Sequence, residues 1–323
     1  MEQASQPRPL TAPFDTRTID VGEGHTIYVE QVGDPGGLPA VFLHGGPGSG
    51  CQPGQRRLFH PDRFRAVFFD QRGAGRSTPR GRLEANDTAA LIADMERIRC
   101  ALDIERWMVV GGSWGATLAI AYAERFPARV SALALRAVFL GTNEEVDWAF
   151  VRGPQTFRPD LWRSFVDLLP VADRDAPLAA YGRLLRDPDP MVHGPAAVVW
   201  HDYERALSVL TPARPVLAGR WSDIVVPSSL PNSPFVEAHY FDNACFLRPR
   251  QLLDEAGRLA GIAGVIVQGR YDLLCPPVSA HALTGRWPDA ELRWVDGAGH
   301  SMDEPGVAAA LTKAIDSLAD GIA

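Results

Sequence analysis

Ser113 stands in Gly111-Gly112-Ser113-Trp114-Gly115, a G-x-S-x-G pattern between an apolar strand-like run, Trp107 to Val110, and a helix-like run, Ala116 to Arg125. A serine on a sharp strand-to-helix turn is forced outward with its hydroxyl exposed, and small residues two positions to either side let the backbone turn that tightly. Ser113 is therefore a candidate nucleophile. Its hydroxyl needs a base, and the base needs an acid to orient it. In a sheet of this kind the partners follow the serine as Asp or Glu and then His, each on a loop just after a strand. Asp272, in Gly269-Arg270-Tyr271-Asp272, follows the strand-like Gly264 to Gln268. His300, in Gly297-Ala298-Gly299-His300-Ser301, follows the strand-like Glu291 to Val295. A tetrahedral intermediate carries an oxyanion that backbone N–H groups must meet. The amide of Trp114 is one expected donor. Gly46, in His44-Gly45-Gly46-Pro47-Gly48 directly behind Val41-Phe42-Leu43, is the other. A glycine turn, a turn aspartate or a loop histidine each has an ordinary structural explanation, but together and in this order they point to acyl transfer through a serine.

The elements needed to hold these residues follow from the pattern on either side. Thr18 to Val32 reads as a hairpin, with Thr26 to Glu30 alternating as one arm. Ala40 to Leu43 and Ala66 to Phe69 are short apolar runs of the kind found in strands buried on both faces. Leu91, Ile92, Met95 and Ile98 recur at helical spacing between Asp87 and Leu102, with Asn86 or Asp87 as cap. A strand follows the serine helix at Ala132 to Leu140. Strands alternating with helices imply a mostly parallel central sheet with helices on both faces. The alternation stops after Gly141. From Asn143 to about Tyr240 the chain is rich in Trp, Pro and Asp, with helix-like pieces at Leu178 to Arg186 and Pro195 to Leu210, and Thr211 to Pro234 is proline-heavy and irregular. Helix-like Gln251 to Leu259 and Val278 to Arg286, the two late strands and a C-terminal helix from about Val307 then restore the theme. We read 1–140 and 245–323 as two parts of one core, and 141–244 as an inserted, mainly helical cap.

The 323 residues are 46% hydrophobic, enough for a substantial core, and carry a net charge of −7. No basic cluster suits nucleic acid, and no run suits a membrane span or a signal peptide. Four cysteines (Cys51, Cys100, Cys245, Cys275) lack the spacing of a disulfide framework or a zinc site, so a reducing cytoplasm and no metal are expected.

HGGPG at His44 to Gly48, DQRGAGRS at Asp70 to Ser77, GGSWG at Gly111 to Gly115, GRYD at Gly269 to Asp272 and GHS at Gly299 to Ser301 occur in this order. In both core segments the chain resembles the proline iminopeptidase (prolyl aminopeptidase) family of α/β-hydrolases. That resemblance implies an α/β-hydrolase fold and a serine peptidase that takes peptides or amino-acyl compounds with a free N-terminus and needs no cofactor. It also implies two cap glutamates that bind the amine. Glu204, in Trp200-His201-Asp202-Tyr203-Glu204, and Glu237, in Phe235 to Phe241, resemble those positions. Arg136, a charge on an otherwise apolar strand, is expected to orient the two carboxylates. By resemblance Phe139, Phe241 and Cys275 are candidate walls of a proline slot. Trp148 or Phe150 is a candidate for its entrance, although core packing is the plainer expectation for both.

The chain departs from the family pattern at Tyr203 (usually Trp), at Ala238 (usually Asn), at Ala149 (an aromatic expected) and through Ser208 to Pro234. All of these fall in the part that selects substrate. Three readings therefore stand: an aminopeptidase releasing N-terminal proline, an amidase or esterase of the same fold acting on another amino-acyl small molecule, and a ligand-binding hydrolase-fold protein with a silent site. Oligomeric state is not legible from the sequence.

Overall fold

Alternate residues along the central strands face opposite ways, and both faces are apolar. A computed structural model describes residues 8–212 and 217–322. Its eight strands are β1 (Pro13–Gly22), β2 (His25–Gly33), β3 (Leu38–Leu43), β4 (Phe64–Phe69), β5 (Trp107–Ser113), β6 (Val130–Val138), β7 (Ala263–Gly269) and β8 (Ala290–Val295). They form one sheet in the order β1-β2-β4-β3-β5-β6-β7-β8. The hairpin β1–β2 and the β2–β4 pair are antiparallel, and every other pairing is parallel.

Val41, Leu43, Val67, Phe69, Val109, Leu133 and Leu135 point to one layer. There they meet α1 (Thr88–Ala101) and α2 (Trp114–Arg125). Ala40, Phe42, Ala66, Phe68, Met108, Val110, Ala132 and Ala134 point to the other, where Leu311, Ala314, Ile315 and Leu318 of the C-terminal Val307–Asp320 helix cover them. Burial of one such Val, Leu or Phe contributes roughly 1.5–3 kcal/mol, which is why strands covered on both faces are so uniformly apolar.

From Asn143 to Asp242 the described residues hold helices and no strand. These helices are α3 (Asn143–Asp147), α4 (Gly153–Phe157), α5 (Pro159–Asp167), α6 (Pro177–Leu185), α7 (Pro190–Leu207) and α8 (Ser233–Asp242). A π-helical turn, Trp148–Arg152, joins α3 to α4. The expected start of α7 at Pro195 is corrected by five residues. Asp189 caps the helix by accepting from Met191 N at 2.9 Å, Pro190 occupies the first turn, and Pro195 lies inside. The stretch from Thr211 is irregular as far as Asn232 where it is described, apart from a 3₁₀ turn at Trp221–Asp223; residues 213–216 lie outside the described residues. α9 (Gln251–Asp254) precedes β7, and α10 (Pro277–Thr284) and the C-terminal helix, which is α11, follow it. The helix expected over Gln251 to Leu259 breaks at Glu255 into α9 and a 3₁₀ turn, Ala256–Leu259.

Candidate active site

Ser113 closes β5 with φ +57 and ψ −127, outside the regions a serine ordinarily occupies, and α2 begins at the next residue. Two glycines make this bend possible through space. A Cβ on Gly111 would lie 2.2 Å from the Gly115 carbonyl oxygen, and one on Gly115 would lie 2.1 Å from the Leu43 carbonyl oxygen. The turn is thus wedged against the end of β3, and the loop leaving β3 is the one that carries Gly46. A Cβ on Gly45 would lie 3.6 Å from Ser113 Cβ, so the HGGPG loop lies directly against the serine. Buried His44 fixes that loop: its Nε2 accepts from Gln71 N at 2.9 Å, and its carbonyl oxygen accepts from Gln71 Nε2 at 2.9 Å. Burial lowers the His44 pKa, which keeps the ring neutral and able to accept. Trp114 is fully buried; its indole N–H donates to Gln71 Oε1 at 2.9 Å and its ring meets Tyr240 edge-on at 4.7 Å. Its backbone amide opens α2, at the positive end of the helix dipole.

Asp272 and His300 come together from the loops after β7 and β8. His300 Nδ1 donates to both Asp272 oxygens, at 3.1 and 3.0 Å. A carboxylate accepts only, so the contact places the ring proton on Nδ1 and leaves Nε2 free to take one. Asp272 is 2% exposed, and its Oδ1 also accepts from Leu274 N at 3.0 Å and Cys275 N at 2.8 Å. Gln268 was not among the residues singled out from the sequence. Its amide donates to Asp272 Oδ2 at 3.4 Å and to the Cys275 carbonyl at 3.0 Å, bracing the loop from β7. Cys275 Sγ lies 3.9 Å from Ser113 Oγ, and it sits with the ligand-type atoms of Asp272 and His300 in a cluster spanning 4.8 Å. Burial and then the Asp272 charge push the Cys275 thiol well up, so it stays protonated beside the serine.

Gly46, Ser113, Phe139, Glu204, Phe241 and Cys275 line one cavity of about 30 Å³, with Phe150, Ala149, Val146 and Leu274 completing it. The sequence left Phe150 as core. It is buried and is also a wall, 5.8 Å from Phe241 and 4.8 Å from Trp200 between ring centres. Trp148 is not part of the lining; it turns away to meet the exposed Phe157 at 6.4 Å. Trp148 and Phe150 stand two residues apart on one helical stretch and so face opposite ways, and Ala149 and Phe150 are the buried pair.

Glu237 is 1% exposed. Its Oε2 accepts from the Trp200 indole N–H at 2.7 Å, while its Oε1 is buried with no hydrogen-bond partner. Burial and then the neighbouring Glu204 charge hold Glu237 well above the usual carboxylate range. Burial raises Glu204 as well. Trp200 was missed in the sequence, yet it lies one helical turn before Glu204 on α7, as Glu237 does before Phe241 on α8; that i, i+4 spacing was the available signal.

Arg136 requires a correction. It does not orient the two carboxylates. Its register on β6 sets it beside Gly112, where a Cβ would come within 2.7 Å of the guanidinium, and it donates to the His300 carbonyl oxygen. The second glycine of GGSWG makes room for this side chain. Asp272 partly offsets the cost of burying the charge, so Arg136 supports the back of the His300 loop.

A family model described as the α/β hydrolase fold matches residues 39–180. A probable proline iminopeptidase of Leptolyngbya boryana is 42% identical over 309 residues, covering 95% of each chain. The proline iminopeptidase of Xylella fastidiosa (strain 9a5c) is 42% identical over 310 residues, covering 96% of this chain and 98% of its own. The chain belongs to the proline iminopeptidase family of α/β-hydrolases. Among solved structures, a proline iminopeptidase-related protein of Thermus thermophilus shares the fold with a TM-score of 0.61 at 22% identity, covering 95% of this chain and 98% of that one. The expected fold class, with its largely parallel eight-stranded sheet and flanking helices, is therefore the observed one.

Proposed function

We propose that this family member is a serine aminopeptidase that releases N-terminal proline from peptides or from amino-acyl compounds with a free amine. Ser113 Oγ attacks the carbonyl carbon of the first residue, and its proton passes to His300 Nε2, while Asp272 holds the ring through Nδ1. The oxygen that becomes negative accepts from the amides of Trp114 and Gly46. Collapse breaks the C–N bond, and the leaving amine takes the proton from His300. Water then adds to the acyl-enzyme by the same route and frees proline and Ser113.

The observation that carries the choice of substrate is the carboxylate pair. Glu204 lines the cavity, and Glu237 behind it keeps a buried oxygen without a partner. An N-terminal proline is a secondary ammonium with two N–H donors, and it supplies both the donors and the positive charge this pair lacks. The aromatic wall of Phe139, Phe150 and Phe241 suits the apolar ring. The 40–42% identical relatives named proline iminopeptidase support the same reading over an amidase or esterase. The four free thiols support a reducing compartment such as the cytoplasm. Among the described residues no helix is long and apolar enough to cross a membrane.

A substrate panel tests this reading. Proline β-naphthylamide is expected to be hydrolysed far faster than the alanine analogue, and N-acetylproline β-naphthylamide to be a poor substrate. Equal rates on the blocked and free compounds would remove the amine from recognition.

A further inference from the structure

The turn that leaves α7 is tied to the loop that carries His300. The last carbonyls of a helix have no partner within it, and here His300 N and Ser301 N both donate to the Ser208 carbonyl oxygen, at 3.1 and 2.8 Å. Ser208 N in turn donates to the Glu204 carbonyl at 3.0 Å, so a single helical turn separates Glu204 from this junction. Two residues on, Leu210 N donates to Glu304 Oε1 at 2.9 Å, and the other oxygen of Glu304 accepts from Gly299 N, next to His300, at 3.4 Å. Arg158 closes the turn from the opposite side by donating to the carbonyls of Val209 and Leu210. Glu304 is 9% exposed, and both of its contacts are to main-chain donors in separate segments.

We propose that Glu304 is a positioning residue that sets the register between Glu204 and His300. The inference rests on the reading above, in which Glu204 takes the amine. In an aminopeptidase the distance from amine to scissile carbonyl is the length of one residue, so the amine site must keep a fixed distance from the serine and its base. With a slip of a fraction of an ångström between them, a substrate whose carbonyl is seated at Ser113 no longer reaches Glu204 fully, which weakens its binding. A carboxylate suits this task because both of its oxygens accept. A glutamine of nearly the same volume must turn its NH₂ toward one of the two N–H groups, which opens one side of the clamp while leaving packing intact. The 2.9 Å contact ties Glu304 to the turn that leaves the Glu204 helix, and the 3.4 Å contact ties it to the His300 loop, so loss of either one frees the two segments from each other at Glu304.

The full-length E304Q, E304D and E204Q proteins are compared with wild type after thermal melting confirms folding. Three readouts apply: kcat and KM for proline β-naphthylamide, kcat/KM for p-nitrophenyl butyrate, which has no amine, and the rate at which a fluorophosphonate labels Ser113. E304Q is expected to raise KM for the proline substrate roughly tenfold, as follows from leaving one buried donor unpaired. Ester turnover and labelling should stay within about threefold of wild type, since neither needs the amine register. E304D keeps two acceptor oxygens and is expected to recover part of the lost affinity. Equal losses on the proline substrate and the ester, or no loss on either, would overturn the inference. If E204Q raises KM for proline while E304Q does not, the register role fails alone. If E204Q itself leaves that KM unchanged, the amine reading fails and this inference falls with it.

Discussion

Glu237 Oε1 is a buried carboxylate oxygen without a donor, in a site where Glu204 adds a second negative charge. Leaving such a group unpaired costs on the order of 1–3 kcal/mol, and in the free enzyme a proton held on the pair reduces that cost. Both carboxyls are raised, Glu237 by burial and by its neighbour, Glu204 by burial. On the proposed reading an incoming ammonium displaces the proton, so acid should weaken binding of free-amine substrates. We expect kcat/KM for proline β-naphthylamide to fall at a higher pH on the acid side than kcat/KM for p-nitrophenyl butyrate. In E237Q a gap between the two acid limbs should remain, because burial by itself still raises Glu204. Coincident limbs in the wild type would show that the carboxyl pair takes no part in binding. Arg136 shows what the residue scale hides from sequence. An unexplained charge on an apolar strand was legible, but its partner depended on β6 lying beside Gly112 and on where the His300 carbonyl falls.

The β5-to-α2 turn leaves no room for a methyl group at position 111. Gly111→Ala would force a Cβ to within 2.2 Å of the Gly115 carbonyl, and either the turn opens or the core shifts. Backbone strain of this kind costs about 1–3 kcal/mol. The expected result is a lower melting temperature together with loss of Ser113 labelling; full labelling with an unchanged melting temperature would contradict it. The far end of α2 carries a different load. Glu124 is buried with neither oxygen bonded, and burial, then the Glu255 charge, pushes it up to about 9 despite Arg258 nearby. The unfolded chain releases this proton near the ordinary glutamate value, whereas the folded chain holds it to about 9. Stability therefore falls as pH rises between those limits, by about 1.4 kcal/mol per unit for this one group. E124Q is expected to reduce the difference in urea midpoint between pH 6 and pH 8 and to be the more stable protein at pH 8. An unchanged slope in E124Q would contradict this. Nothing in the sequence marks Glu124, because an acid in the last turn of a helix ordinarily faces water, whereas α2 is buried from Trp114 to Glu124.

Across the whole molecule, legibility follows the range of the contact. The parallel sheet could be read because strands covered on both faces are continuous apolar runs, and the serine turn because its glycines and its strand and helix are contiguous. Asp272 and His300 could be placed because each follows a strand directly. The inserted segment was harder. Only α6 and α7 showed as helix-like stretches, whereas α3, α4, α5 and α8 did not, and Pro195 marks no helix start because Asp189 and Pro190 already supply one. Glu304 was invisible, since Leu210 is 94 positions away. The structure joins the two carboxylate-bearing helices to the His300 loop and the HGGPG loop separately. α7 ends on the His300 loop through Ser208, and the start of α8 holds the HGGPG loop through Asn232, whose amide donates to the Gly48 carbonyl at 3.3 Å. The carboxylate pair and the Ser113, Asp272 and His300 cluster are therefore held on one frame. The most direct test is the ratio of kcat/KM for proline β-naphthylamide to that for N-acetylproline β-naphthylamide in wild type, E204Q and E237Q. Loss of one charge-assisted bond to the ammonium should lower that ratio about 100-fold in either variant, with the blocked substrate scarcely affected. An unchanged ratio in both would contradict the account.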